Sequence, residues 1–268
     1  TAAFSHTGAW TVTSATAGIQ EASTATPVSI IHLDGIGYDI YAPITLASGS
    51  AGIQGTERGL TRLHIHFTTG SIITYGGIGA QASFSNFWIV PEAGHMVSGS
   101  ALNCITADKV TINAVTLGAS GGNVYTGANT GTSVSWFFAS QMVIYAKYRG
   151  LELNATAPYL SNISIISDST TGNYIANSAA IYLKNIAGGF ISGVIHDQGV
   201  FDFGLYFDTA GGAFVNELSI TNSYFDNYFN WGLRVVAGGA SVHCEISNSR
   251  FNNDFNTAGT AEILLSAA

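Results

Sequence analysis

Two short motifs recur in step through the second half of this chain, and that recurrence limits the fold more than any other feature. Gly150-Leu-Glu-Leu153, Ala180-Ile-Tyr-Leu183, Gly204-Leu-Tyr-Phe207 and Gly232-Leu-Arg-Val235 share one pattern, with a fainter copy at Thr260-Ala-Glu-Ile263. Beside it run Gly193-Val-Ile195-His-Asp197, Ser223-Tyr-Phe225-Asp-Asn227 and Ser249-Arg-Phe251-Asn-Asn253. Both columns repeat about every 24–30 residues, so one supersecondary unit is being stacked. Within each unit, apolar residues alternate with polar ones, as in Val110-Thr-Ile112, Ile163-Ser-Ile165, Leu218-Ser-Ile220 and Cys244-Glu-Ile246, and Gly, Asn, Ser and Thr punctuate the runs. A unit of that length built of strands without a helix is one coil of a parallel β-helix, whereas propeller blades are longer. The expected fold is all-β: a right-handed single-stranded parallel β-helix with a short N-terminal capping segment. It forms one domain, with the cap and first strands in residues 1–62 and stacked coils over 63–268.

Composition agrees with a chain that builds no long wet helices. Charged residues make up 9 % of the 268, and Gly reaches 32, whereas surface helices need Glu, Lys and Arg on their exposed face. Eight Lys+Arg against 16 Asp+Glu leave a net charge of −8, with Lys147-Tyr148-Arg149 as the local basic cluster. Nucleic acid is therefore not an expected partner. The longest apolar stretch, Trp136 to Ala146, is interrupted by Ser140 and Gln141 and falls short of the roughly 20 residues that span a bilayer, so membrane insertion is not expected. The opening Thr1-Ala2-Ala3-Phe4 reads as a processed chain or a piece of a longer one.

Stacking in register places Leu151, Ile181, Leu205 and Leu233 inside, together with Leu153, Leu183, Phe207 and Val235. The alternation then leaves Glu152, Tyr182, Tyr206, Arg234 and Glu262 in one outer row, flanked by Asn154, Lys184 and Asp208. Coils about 4.8 Å apart let Lys184 pair with Asp208 and Arg234 with Glu262. Cys104 and Cys244 fall about five coils apart, too far for a disulfide, and both are expected to be buried free thiols. Ala17-Gly-Ile-Gln-Glu-Ala22 is expected as the capping helix, and Ile30–Leu33, Tyr38–Tyr41 and Leu63–Phe67 as strands.

Three groups are candidates for chemistry. Asp197 and Asp226 sit at almost equivalent places on consecutive coils, with His196 in register with Asp226 and Asp202 following in the next turn. Paired carboxylates cleave glycosidic bonds, and Asp is equally a turn residue. The outer row of Glu152, Tyr182, Lys184, Tyr206, Asp208 and Arg234 combines flat aromatic rings with charges of both signs. That composition suits a sugar, a subunit interface or plain solvent. Finally, Phe201, Phe203, Phe214, Tyr228, Phe229, Trp231 and Phe255 crowd the last coils, with Phe225 and Phe251 expected in the core. His64 and His66 share one strand face but find no third ligand in the sequence, so no metal and no cofactor are expected.

Over roughly residues 15–268 the chain resembles pectate-lyase-like right-handed β-helices, a superfamily that includes phage tailspikes and polysaccharide depolymerases. The resemblance rests on Gly18-Ile-Gln-Glu-Ala22, a strand ending near Gly35, Tyr38-Asp-Ile-Tyr-Ala-Pro-Ile-Thr-Leu46 and Gly55-Thr-Glu-Arg-Gly-Leu-Thr-Arg-Leu63, followed by the repeats. The catalytic sets of the polygalacturonases and of the calcium-dependent lyases are not present in the sequence. The resemblance implies a virion or extracellular tailspike-like protein that binds, and in the fuller form of the reading hydrolyses, host-surface polysaccharide. It also implies a homotrimer and contact with other virion tail proteins. Glycoside hydrolysis would fall to Asp197, Asp202 and Asp226. A non-catalytic structural or adhesive β-helix is the second reading, and a secreted polysaccharide lyase the third.

Overall fold

The computed structural model describes residues 14–27, 29–49, 51–169, 173–237, 242–252 and 263–267. Its strands stack in parallel as a β-solenoid of about 8 turns with almost no helix. The strand pairings resolve into three walls around one apolar interior. The first runs from Ile30–Leu33 through Ala51–Gly55 and Gln81–Ser85 to the later stretches around 109–113, 134–140, 155–161, 189–192 and 215–221, and ends at Val242–Ser247. The second begins at Gly37–Ile40 and Arg62–Ile65 and ends at Tyr224–Asp226 and Arg250–Asn252. The third begins at Ile44–Leu46 and passes through the C-terminal end of Val124–Leu153, Ala179–Leu183, Phe201–Asp208 and Tyr228–Ala237. Stacking thus starts at Ile30, inside the segment expected to supply the cap and first strands.

The first repeat column stacks as read from the sequence. Leu151 pairs with Ile181, Leu205 and Leu233 in turn, and Leu153 with Leu183, Phe207 and Val235. Each of these side chains is at most 5 % exposed. The leading glycine of the motif has a steric cause. A Cβ on Gly150 would lie 2.5 Å from the Ala180 carbonyl oxygen and 2.6 Å from Ile165 of the opposite wall. One coil is misaligned in the sequence reading: Leu233 pairs with Ile263 and Arg234 with Leu264, so the fainter copy is offset by two residues. Glu262, the expected partner of Arg234, lies outside the described residues.

The second column is shifted by one residue. Ile195 pairs with Tyr224 and His196 with Phe225, so His196, expected beside Asp226, turns into the core at 0 % exposure. A one-residue slip exchanges the two faces of a strand, and the corner before this wall fixes the slip. Asn86, Ala114, Gln141, Asn162, Gly193, Asn222 and Asn248 all have positive φ, and all follow a ladder of polar residues, Ser85, Asn113, Ser140, Ser161, Ser192, Thr221 and Ser247. From Gln81–Ser85 onward, each coil bends between the first two walls at one left-handed residue, a role Asn and Gly fill most easily. Gly193 therefore aligns with Asn222, whereas the sequence reading set it against Ser223.

The capping helix spans Ile19–Ala25. It buries Ile19 against the first coil, while its polar side chains cover the open edge of Ile44–Leu46 and the residue after it. Gln20 Oε1 accepts the Thr45 N–H at 2.6 Å, and Ser23 Oγ accepts the Ala47 N–H at 2.8 Å. Unpaired edge groups that would otherwise template another strand are satisfied in this way. Among the described residues both cysteines are free. Cys104 is buried as expected, but Cys244 is half-exposed, because its strand is the last of its wall among the described residues. Burial pushes both thiols up to about 12.

Candidate functional site

The outer row forms as a register column on the third wall, Glu152–Tyr182–Tyr206–Arg234. It is less exposed than the alternation implied. Tyr182 is only 8 % exposed, because Arg149, three residues before the outer row, lies over its ring and Tyr206 and Phe203 pack against it. Arg149, Ala179, Phe203 and Trp231 make a second outward column in register with the first. The Arg149 guanidinium lies 3.6 Å from the Tyr182 ring centroid and 4.6 Å from that of Tyr148, and its Nη1 is 2.5 Å from Glu152 Oε1. The Arg234 guanidinium lies 4.8 Å from the Phe203 ring and 4.9 Å from the Tyr206 ring. Tyr206 in turn meets the Tyr182 and Phe203 rings edge-on at 5.1 and 5.2 Å.

Hydrogen bonds hold these groups in place. The Tyr182 hydroxyl donates to Asp208 Oδ2, and Lys184 Nζ stands 3.7 Å from the same oxygen, the pairing expected from the coil register. Burial first, and then the bond to Asp208, hold the Tyr182 phenol protonated well above the usual tyrosine range. Burial raises Tyr206 as well. At pH 7 both phenols are therefore neutral donors on a rigid sheet. The Nε atoms of Arg149 and Arg234 are buried and have no hydrogen-bond partner among the described residues. Guanidinium groups held over covered aromatic rings, beside fixed hydroxyls and carboxylates, make a rigid polar face that can hold a polar ligand by charge and directed hydrogen bonds.

The three aspartates are placed differently. Asp226 is 5 % exposed; its Oδ2 accepts the Tyr224 hydroxyl at 2.7 Å and its Oδ1 the Asn227 N–H at 2.8 Å. Asp202 is 4 % exposed, with Oδ2 accepting the Asn177 N–H at 2.7 Å and Oδ1 the Asn230 side-chain amide. Burial raises the Asp202 pKa, against the opposing pull of those two donors and of Arg234. Asp197 is exposed, and its carbonyl accepts the Asn227 amide at 2.6 Å. No hydrogen bond joins any two of the three among the described residues. Instead, Asp202 meets the outer row through Asn177, whose side-chain oxygen accepts from Arg234 Nη1 at 3.1 Å.

Phe201 and Phe225 pack in the interior, Phe203 is buried on the outer face against Tyr182, Tyr206 and Trp231, and Tyr228 is 1 % exposed, while Phe229 is exposed and stacks on Tyr174 at 4.2 Å. Phe225 and Phe251 stack at 5.4 Å inside the solenoid as expected, and Phe255 lies outside the described residues. His64 Nδ1 is 2.6 Å from Glu92, and His66 Nε2 is 2.8 Å from Asp39, so each imidazole is paired with its own carboxylate. No cluster of three or more metal-ligating side chains is found among the described residues.

The sequence reading missed Arg149, Phe203, Trp231 and Asn177 as members of the face. The signal for the first three was present in the repeat itself. Each stands one residue before the Gly that opens the motif. Comparison with protein-family models, with curated proteins and with solved structures returns no match.

Proposed function

We propose that this solenoid binds a surface polysaccharide of a host cell through the third-wall face formed by Glu152, Tyr182, Lys184, Tyr206, Asp208 and Arg234, completed by Arg149. A virion or other extracellular setting belongs to the same proposal. One observation supports it above the others: two guanidinium groups are held over tyrosine and phenylalanine rings, beside the Tyr182–Asp208–Lys184 contacts, on a stacked sheet. Four of the eight Lys and Arg residues, Lys147, Arg149, Lys184 and Arg234, belong to this wall or its approach in an otherwise acidic chain. Such a face recognises hydroxyl- and carboxylate-bearing ligands through charge-assisted and bidentate hydrogen bonds.

Within this reading, binding without cleavage is favoured over glycoside hydrolysis by Asp197, Asp202 and Asp226. The favouring observation is that both carboxylate oxygens are engaged, those of Asp226 by Tyr224 and Asn227 of its own turn and those of Asp202 by Asn177 and Asn230 of the adjacent coils, whereas a hydrolase needs two carboxyl groups facing one scissile bond. The test is a panel of purified bacterial capsular and O-antigen polysaccharides, assayed by calorimetry for binding and by reducing-end release for cleavage. Binding of one glycan, weakened about tenfold or more by Tyr206→Ala and by Arg234→Ala with unchanged thermal midpoints, is the expected result. New reducing ends that vanish in the Asp202→Asn and Asp226→Asn variants would replace it with the hydrolytic reading. No binding across the panel would leave the purely structural one.

A further inference from the structure

The first wall carries a second aromatic group that the glycan-binding face does not use. Trp136, Phe138 and Tyr159 stand on its outer side with near-parallel rings, 5.0 to 6.4 Å apart. Trp136 is 45 %, Tyr159 38 % and Phe190 41 % exposed. Phe138 stacks on Tyr159 of the next coil, and Trp136 lies near-parallel beside both, so the flat faces meet one another and leave an exposed apolar ridge. Such a ridge is suited to another packed surface and not to a stacked sugar ring.

The register shows which surface. One column of this wall reads Lys109–Trp136–Ala157, continuing by the same register through Gly188 to Glu217. The neighbouring column reads Thr111–Phe138–Tyr159–Phe190–Ser219. Both are pseudo-symmetric about the Ala157–Tyr159 level: the first has a cation two coils before it and an anion two coils after, and the second has Phe138 and Phe190 one coil away and the hydroxyls of Thr111 and Ser219 two coils away. Among the described residues neither Lys109 nor Glu217 forms an ion pair; the Lys109 ammonium instead rests 5.1 Å from the Phe138 ring centroid.

We infer that this wall is a twofold interface between two copies of the chain, packed face to face with their solenoid axes antiparallel. A twofold axis along the strand at the Ala157–Tyr159 level sets Lys109 of each copy against Glu217 of the other, roughly 10 Å from the axis. The same operation sets Trp136 over Gly188, where space for a side chain is open, Phe138 against Phe190, and Tyr159 against its own counterpart. A self-complementary patch of this kind is what an isologous dimer requires. A threefold axis parallel to the solenoid, as in the trimer expected from the sequence, keeps every residue at its own level and never brings Lys109 to Glu217.

Light scattering coupled to size exclusion on the native chain decides the matter, with a mass near twice 27.9 kDa expected. Lys109→Glu and Glu217→Lys should each weaken the dimer by about tenfold or more, and the double exchange should restore most of that loss, with unchanged circular dichroism throughout. A monomeric or trimeric mass at about 1–100 µM overturns the inference. So does a dimer indifferent to both single substitutions, or a double exchange no better than either one. The glycan-binding face lies on a different wall, so these outcomes are independent of polysaccharide binding.

Discussion

Gly150 has no room for a side chain. The carbonyl of the next coil and Ile165 of the opposite wall already stand within 2.6 Å of where a Cβ would be, and neither is the free end of a flexible group. Gly150→Ala should lower the denaturation midpoint by an amount corresponding to about 1–3 kcal/mol or more. Gly59→Ala, where nothing lies within 4 Å, should stay within about 0.5 kcal/mol of the parent. Equal effects at the two sites would show that the glycine column is not set by steric contact. His196 offers a second test at this scale. Its ring is buried at 0 % exposure beside Phe201, its Nδ1–H donates to the Ile165 carbonyl at 3.0 Å, and burial holds its pKa below 6.5. As pH falls below the unfolded value, the unfolded chain takes up a proton that the folded one resists, so stability is lost in that window. Between about pH 7 and pH 5 the thermal midpoint of the parent should fall more than that of His196→Leu. Parallel falls would assign the acid sensitivity to other groups.

At the scale of elements, the helix Ile19–Ala25 acts as a lid on a sheet edge. Its seven residues are too few to be stable alone, so its contribution comes through what it covers. Ser23→Ala and Gln20→Ala each remove the acceptor of an edge-strand N–H and should cost about 1 kcal/mol apiece. Hydrogen exchange is the direct readout: the Thr45 and Ala47 amides should lose protection in the matching variant. Protection that does not change would mean the edge is satisfied without the helix. Glu21 anchors the preceding turn, accepting from the Ser14 and Thr16 hydroxyls at 2.7 and 3.0 Å.

Over the whole molecule, three walls separate three tasks. Around one apolar interior, the second wall pairs His64 and His66 with carboxylates on its outer side, the third presents clamped arginines and phenols, and the first presents an aromatic ridge with charges at its ends. Each coil contacts mainly its neighbours, so stability is close to a sum of local terms, and a face can be altered without undoing the fold. That independence lets the glycan and dimer tests be read separately.

The sequence by itself determined the coil, its length and the inward columns, because a period-two pattern repeated at nearly constant spacing can bury its apolar face only by stacking on itself. Leu151, Ile181, Leu205 and Leu233 were legible for that reason. The Lys184–Asp208 pair followed, since partners one coil apart need only the register. The tertiary structure alone decided what depended on a single residue of slip or on side-chain direction. His196 moved from beside Asp226 into the core because the left-handed corner falls at Gly193 and Asn222, and backbone handedness at one residue leaves no mark in hydrophobic periodicity. Tyr182 went from exposed to covered because Arg149 folds across its ring, a contact between neighbouring coils set by where a long side chain finds an aromatic face.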